Sequence, residues 1–276
     1  MSNARGFTLL ELIVTIAISA IVLAFAAMFV KAPVDAYMAN SRQAELQDSI
    51  SIAWPRMQGD IRKALPFSVR KTTNGNVELL ELLPIVDSGR LLSTPPSGTF
   101  RTAGYFDHNT PGFYLAVDND PNPPKNLDAY NPATKAMTSA GNQISPEGSP
   151  MVDGPLGEDQ FTLPGGFAFN TAGLTTQRIW LVQKPVTYLC DMKAGTLQRF
   201  SGYKAVPLQS SINTAAKLLA RSATAELVAR NLTFCKFTPT NIGSIGASQT
   251  VSVQMTATRD GESTSIYETA AVRPLQ

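Results

Sequence analysis

One histidine and two cysteines are all the imidazole and thiol chemistry that this 276-residue chain holds. The usual structural zinc site takes four Cys and His ligands, one more than the chain holds, so the count excludes that class. A Ser-His-Asp or Cys-His nucleophile would have to run through His108 alone. His108 stands in Asp107-His108-Asn109-Thr110-Pro111, a turn sequence, where a histidine is more simply a satisfied loop residue. Charge is scarce too. Asp, Glu, Lys and Arg make up 16% of the chain, against about 25% in ordinary soluble domains. The 23 basic and 21 acidic side chains leave a net +2, which gives no support to nucleic-acid binding by bulk charge. No internal repeat is visible. The expectation is a chain that is not an enzyme and takes no cofactor and no metal.

The charge deficit is concentrated at one end. Residues 1–6 are short and polar, with Arg5 the one basic residue, and from Leu12 to Val30 no charged residue occurs. That run, as a helix, is roughly 28 Å long, close to the hydrocarbon thickness of a bilayer. Thr15 and Ser19 are tolerable within it because their hydroxyls bond back to helix carbonyls. A secretory signal peptide would have a shorter apolar core followed by a small-residue cleavage site. An ordinary signal anchor explains the length but not Glu11, a carboxylate at the mouth of an uncharged run, where ionised groups are costly and usually paired.

The segment Gly6-Phe7-Thr8-Leu9-Leu10-Glu11-Leu12 resembles the class III signal of type IV prepilins and type II secretion pseudopilins. The resemblance implies cleavage by prepilin peptidase after Gly6 and N-methylation of the new terminus, Phe7. It further implies that Glu11 neutralises the terminal amine of a neighbouring subunit during assembly. A carboxylate and an ammonium attract strongly in low dielectric and are each expensive alone, so such a pair acts as a register device. The sequence departs from major type IV pilins in one respect: the stretch about twenty residues past the cut is free of proline, and Pro33 lies further on. A bend is therefore expected at the membrane exit.

Beyond Lys31 and Pro33, Leu46, Ile50, Ala53 or Trp54, Met57, Ile61 and Leu65 recur every three or four residues, as on one face of a helix. Arg42, Gln43, Gln47, Asp48, Arg56, Arg62 and Lys63 fall on the other side. Pro66 places the end near Ala64, and Pro55 is expected to kink the helix near Ser51. Arg56 and Asp60 are four apart and suited to pairing on the exposed face. The stretch Arg56–Ala64 resembles J-type pseudopilins and PilW-like minor pilins.

From Leu65 onward the text reads as strands: 77–86 ending at a turn over 87–89, then 99–106, 112–117, 161–169, 179–189, 196–203, 227–237 and 250–258. Arg259-Asp260-Gly261-Glu262 is a hairpin signal leading into 263–272. Residues 215–221 are a short helix or irregular. The fold class expected is α+β: a long N-terminal helix, transmembrane in its first half and amphipathic in its second, packed on an antiparallel β-sheet. Trp54 and Trp180 fit core positions. Residues 118–159, rich in Pro, Asn, Gly and Ser, read as a long surface loop with room for one short strand. Its carboxylates, from Asp118 and Asp120 through Asp128, Asp153, Glu158 and Asp159, fit turn chemistry better than calcium, since no EF-hand spacing occurs.

The chain divides into a leader, 1–6; a transmembrane and filament-core segment, 7–30; an amphipathic continuation, 31–65; and a β-rich domain, 66–276. Cys190 and Cys235 read as one disulfide if the domain lies in an oxidising envelope compartment, with two separate buried thiols the alternative. Leu227–Leu232, Val186–Cys190 and Gly195–Phe200 are similar to the MshO group, minor pilins of the mannose-sensitive haemagglutinin (MSHA) pilus. That likeness implies an inner-membrane single-pass protein with a periplasmic domain, later found in a surface pilus. Its partners would be prepilin peptidase, other pilins, the inner-membrane assembly platform and, before assembly, membrane lipid; no nucleic acid is expected. Two further readings stay open: a J-type pseudopilin, and a pilus-borne adhesin whose contact surface is 118–159.

Overall fold

The structure is a computed structural model, and it describes residues 8–92, 98–104, 106–107, 112–119, 129–130, 144–148, 151–153, 158–163, 165, 167–170, 177–242 and 248–272. One helix, α1 (Leu9–Arg62), supplies the long axis. Thr8 caps it, its Oγ1 accepting the Glu11 N–H at 3.3 Å. The helix runs on through Pro33 and Pro55 and stops at Arg62, two residues short of the expected Ala64. Its second half buries Leu46, Ile50, Ala53, Met57 and Ile61, the face that the three-four spacing marks.

Three antiparallel sheets follow. The strands are β1 (Arg70–Asn74), β2 (Val77–Leu82), β3 (Ile85–Leu91), β4 (Thr99–Ala103), β5 (Tyr114–Val117), β6 (Met151–Asp153) and β7 (Glu158–Thr162). Then come β8 (Arg178–Val182), β9 (Val186–Asp191), β10 (Thr196–Ser201), a short helix α2 (Ala215–Leu219), β11 (Thr224–Arg230), β12 (Leu232–Ile242), β13 (Ser248–Arg259) and β14 (Glu262–Ala271). One sheet has the order β1-β2-β9-β10-β11, the second β12-β13-β14, and the third β5-β8-β3-β4-β7-β6. Helix plus antiparallel sheets make the expected α+β arrangement, one consistent with the pilin fold. The main core lies where the buried face of α1 meets Leu80, Leu82, Tyr188 and Leu197 of the first sheet and Phe237, Val251, Val253 and Met255 of the second.

The element boundaries correct several expected strands. The apolar run 77–86 is two strands in two different sheets, broken at Leu83-Pro84, and 179–189 is likewise two, broken at Lys184-Pro185. Proline lacks the N–H that a continuing ladder would need. The strands change sheets at those points: Leu65 N–H donates to Leu83 O at 2.7 Å, and Gln183 N–H to Pro84 O at 2.9 Å. The run 227–237 divides at Asn231, whose φ of 60° turns the chain from β11 into β12. The turn expected over 87–89 is instead inside β3, where the register shifts between Ile85 and Asp87. The strand expected at 161–169 is β7, starting earlier at Glu158 and ending at Thr162. β1 was not expected at all; its short polar stretch has no apolar pattern.

Because β2 and β9 are direct neighbours, all of 85–182 is an excursion between two adjacent strands. It builds the third sheet and its own core of Phe100, Phe106, Phe161, Leu115 and Leu181. The described residues of 118–159 are not all at the surface. The segment contains β6 as its short strand, and Ala129, Tyr130, Ile144 and Ser145 are buried. Asn119 ties it down, its Nδ2 donating to Pro66 O at 2.7 Å and its Oδ1 accepting from Ala129 N–H at 2.8 Å. Ser145 Oγ accepts from Leu115 N–H at 2.8 Å.

Candidate functional site: the N-terminal half-helix and its seat

Residues 9–34 of α1 are exposed throughout. Leu9, Leu23, Met28 and Phe29 show 69–77% of their surface. An apolar stripe of that size on a soluble chain marks a membrane or subunit interface, and the helix is long and apolar enough to cross a bilayer. Gly6, Phe7 and the rest of the leader lie outside the described residues. Glu11 sits exposed in the first turn of α1, where the helix dipole favours an anion. Thr8 and Glu11 have the spacing of a capping box, so Thr8 fixes where the helix begins and thereby where the carboxylate stands.

The second half of α1 is held to the domain by more than apolar packing. Asp60 Oδ2 accepts from Tyr188 O–H and from Arg199 Nε, both at 2.7 Å. Burial and the Asp60 charge push the Tyr188 phenol far above its usual range. Burial alone would lower Arg199, yet its bond to Asp60 leaves it raised. Arg56 pairs with Glu226 of β11. The expected Arg56–Asp60 pair on a solvated face is therefore corrected: both residues face the first sheet and take partners from it. Ser49 Oγ accepts from Arg230 N–H at 3.2 Å, which covers part of the open edge of β11. Glu45 pairs with Arg259 at 2.6 Å.

A second, buried cluster braces the domain behind this seat. Arg70 Nε donates to Glu81 Oε2 at 2.8 Å, and its other nitrogens donate to Pro207 O and Val206 O, both at 2.6 Å. Its guanidinium lies 3.5 Å over the Tyr130 ring. Tyr203 O–H reaches Glu81 Oε1 at 3.2 Å. Burial raises the Glu81 carboxyl and Arg70 pulls it back. No spacing rule brings residues 70, 81, 130 and 203 together in advance.

Cys190 and Cys235 form a disulfide, with 6.4 Å between Cα atoms. It joins β9 of the first sheet to β12 of the second. Among the other carboxylates, Asp159 accepts from Phe106 N–H at 2.6 Å and Glu158 pairs with Arg101, while Asp118 has a left-handed backbone at φ 34°. His108, Asp120 and Asp128 lie outside the described residues. Among the described residues no three His, Cys, Asp or Glu side chains gather as a metal ion would require. Trp54 is half-buried against the main core and Trp180 is buried in the third sheet's packing.

Residues 1–27 match the prokaryotic N-terminal methylation motif. The match supports a type IV pilin-like protein. It points to a structural subunit, processed by prepilin peptidase and assembled with other pilins, and the exposed apolar helix fits a membrane-anchored pilin. No curated protein and no solved structure matches the chain.

Proposed function

We propose that the chain is a minor pilin of an MSHA-like type IV pilus. It is cut after Gly6, methylated at Phe7, and added to a filament through pairing of Glu11 with the terminal amine of a neighbour. The observation that carries this reading is the methylation motif at the head of a helix whose first half is apolar and uncovered and whose second half is a core element. In the inner membrane residues 7–30 are the anchor, and in the filament they are the shared helical core. The domain from residue 66 lies on the periplasmic side, where the Cys190–Cys235 disulfide is stable. The bulk of the excursion 85–182 favours a low-copy position, in priming or at the tip, because repeated close packing leaves little room for it. Intact-mass measurement on protein from native membranes or sheared filaments tests the reading. A chain beginning at methylated Phe7 and two hydrogens light is the expected result. A chain that begins at Met1, or one cut after residue 30, removes it.

A further inference from the structure

The third sheet carries arginines on the face turned away from its core. Arg90 of β3 and Arg178 of β8 are directly opposite in the antiparallel ladder, so their side chains leave the same face with Cβ atoms about 5 Å apart. Leu91 and Ile179, next to them in sequence, belong to the core with Phe100 and Phe161. Arg90 also pairs with Ala103 of β4, which puts Arg101 on the diagonal, about 7–8 Å off. Like charges directly opposite destabilise a sheet, and little on this face offsets them. Among the described residues only Arg101 of the three pairs with a carboxylate, Glu158 at 2.8 Å. Glu158 lies beyond Ala103, two strands from Arg90. Arg90 turns Nε and a terminal nitrogen onto one neutral oxygen, Gln177 Oε1, at 3.1 and 3.0 Å. That is the edge of a guanidinium that a carboxylate or phosphate fills with two oxygens. Arg178, half-buried, has no polar partner among the described residues. The adjoining segments 92–98 and 171–177 contain no Asp or Glu.

We propose that Arg90 and Arg178 form a clamp for a phosphate dianion, either free phosphate or the phosphomonoester end of a larger molecule. Two guanidiniums rooted about 5 Å apart can each lay a planar fork on one tetrahedral anion held between them. The charge count selects a dianion. A phosphomonoester carries about two negative charges near neutral pH and offsets both uncompensated arginines at once. A lone carboxylate offsets one and leaves the other opposed. Nucleic acids and acidic polymers spread their charge along a chain and are held by a row of cations. Here the row stops at two, since Arg101, the next cation, is already met by Glu158. An anion in the clamp also removes a repulsion that the bare sheet carries, so binding and stability are linked. The proposal does not depend on processing at Gly6 or on which filament the chain joins.

The test uses the full-length chain in detergent, in a phosphate-free buffer of low ionic strength. Binding is followed by calorimetry and by the rise in unfolding midpoint that a native-state ligand produces. Inorganic phosphate and glycerol 1-phosphate are the arms for the free ion and the carried group, with dimethyl phosphate and acetate as singly charged controls. Saturable binding in at least one arm, at least about tenfold tighter than either control, is expected. Binding of phosphate alone assigns the clamp to the free ion, and tighter binding of the ester assigns it to a carried phosphoryl group. Arg178→Gln and Arg90→Gln should each weaken binding about tenfold, the effect of losing one good contact. Arg178→Lys, which keeps the charge without the fork, should recover part of the loss. With no anion present, Arg178→Gln should unfold at a higher midpoint than the parent, because it removes the opposition. Leu219→Ala, exposed on α2, should leave binding unchanged. No saturation by about 10 mM in either arm overturns the proposal, as does equal affinity for acetate or binding that survives both glutamine substitutions. Retention on DNA or heparin without phosphate binding overturns it in favour of a polyanion surface.

Discussion

Asp60 sits in the last turn of α1 and accepts from two donors on two strands. Truncating it leaves the Tyr188 hydroxyl and the Arg199 guanidinium without their acceptor, both partly shielded from water. A hydrogen bond to a charged group contributes about 1.5–3 kcal/mol. Asp60→Ala is therefore expected to lower the unfolding free energy by about 2 kcal/mol and Tyr188→Phe by about 1 kcal/mol, read as shifts of the urea midpoint at constant slope. An Asp60→Ala shift under 0.5 kcal/mol would show that the network is ornamental. Glu81 makes a sharper case because it is fully buried. Glu81→Gln keeps an amide oxygen as acceptor but leaves the buried Arg70 guanidinium without a counter-charge, and breaking one side of a buried pair costs about 3–5 kcal/mol. Replacing both partners, as Arg70→Met with Glu81→Leu, is expected to cost clearly less than the single change. A double variant as unstable as Glu81→Gln would mean that Arg70's contacts to Pro207 and Val206 carry the stability instead.

Among the elements, the disulfide and the sheet crossings decide how the domain holds together. Cys190 and Cys235 are 45 apart in sequence, and closing such a loop restricts the unfolded chain by roughly 3–4 kcal/mol in the chain-entropy model. Cys190→Ser with Cys235→Ser, or mild reduction of the intact protein, should lower the unfolding free energy by that amount while leaving strand content unchanged by circular dichroism. Unchanged stability on reduction would mean the two sheets are held by packing alone. Helix α1 was legible from its spacing because its buried face recurs every three to four residues from Leu46 to Ile61, and the hairpin at Asp260-Gly261 was legible from its turn residues. The long strands were not. Val77–Val86 and Ile179–Leu189 are mostly apolar from end to end, and hydrophobicity does not say that the two pieces of each run lie in different sheets. Pro84, Pro185 and Asn231 were the available signals. β1 had none, because Arg70–Asn74 is a polar edge strand whose partner, not its pattern, makes it a strand. The candidate site divides in the same way. The disulfide pair was readable. The partners of Arg56, Asp60 and Arg70 were not, because they arise from long-range packing.

For the whole molecule, the division of α1 into an uncovered half and a packed half sets two separable requirements. Insertion needs only the uncharged run, since a span of about 20 apolar residues enters a bilayer on hydropathy alone. Addition to a filament needs more, because apolar helices have no hydrophobic incentive to prefer each other over lipid, and polar contacts or close packing must supply the preference. In the proposed reading that contact is Glu11 with a neighbour's amine. Glu11→Ala is thus expected to leave the protein processed, membrane-bound and folded, with the disulfide intact, while reducing its recovery in sheared filaments at least tenfold. Glu11→Asp keeps the charge but withdraws it by one methylene, and should recover part of the loss. A pair worth about 1.4 kcal/mol per subunit already corresponds to that tenfold effect, and an ion pair in low dielectric exceeds it. If Glu11→Ala enters filaments at wild-type levels, the carboxylate is only the N3 member of the Thr8 capping box, and Thr8→Ala should then be the more damaging change. If Glu11→Ala instead accumulates in the membrane with its leader uncut, the residue acts in processing, and the filament reading must rest on the methylation motif alone.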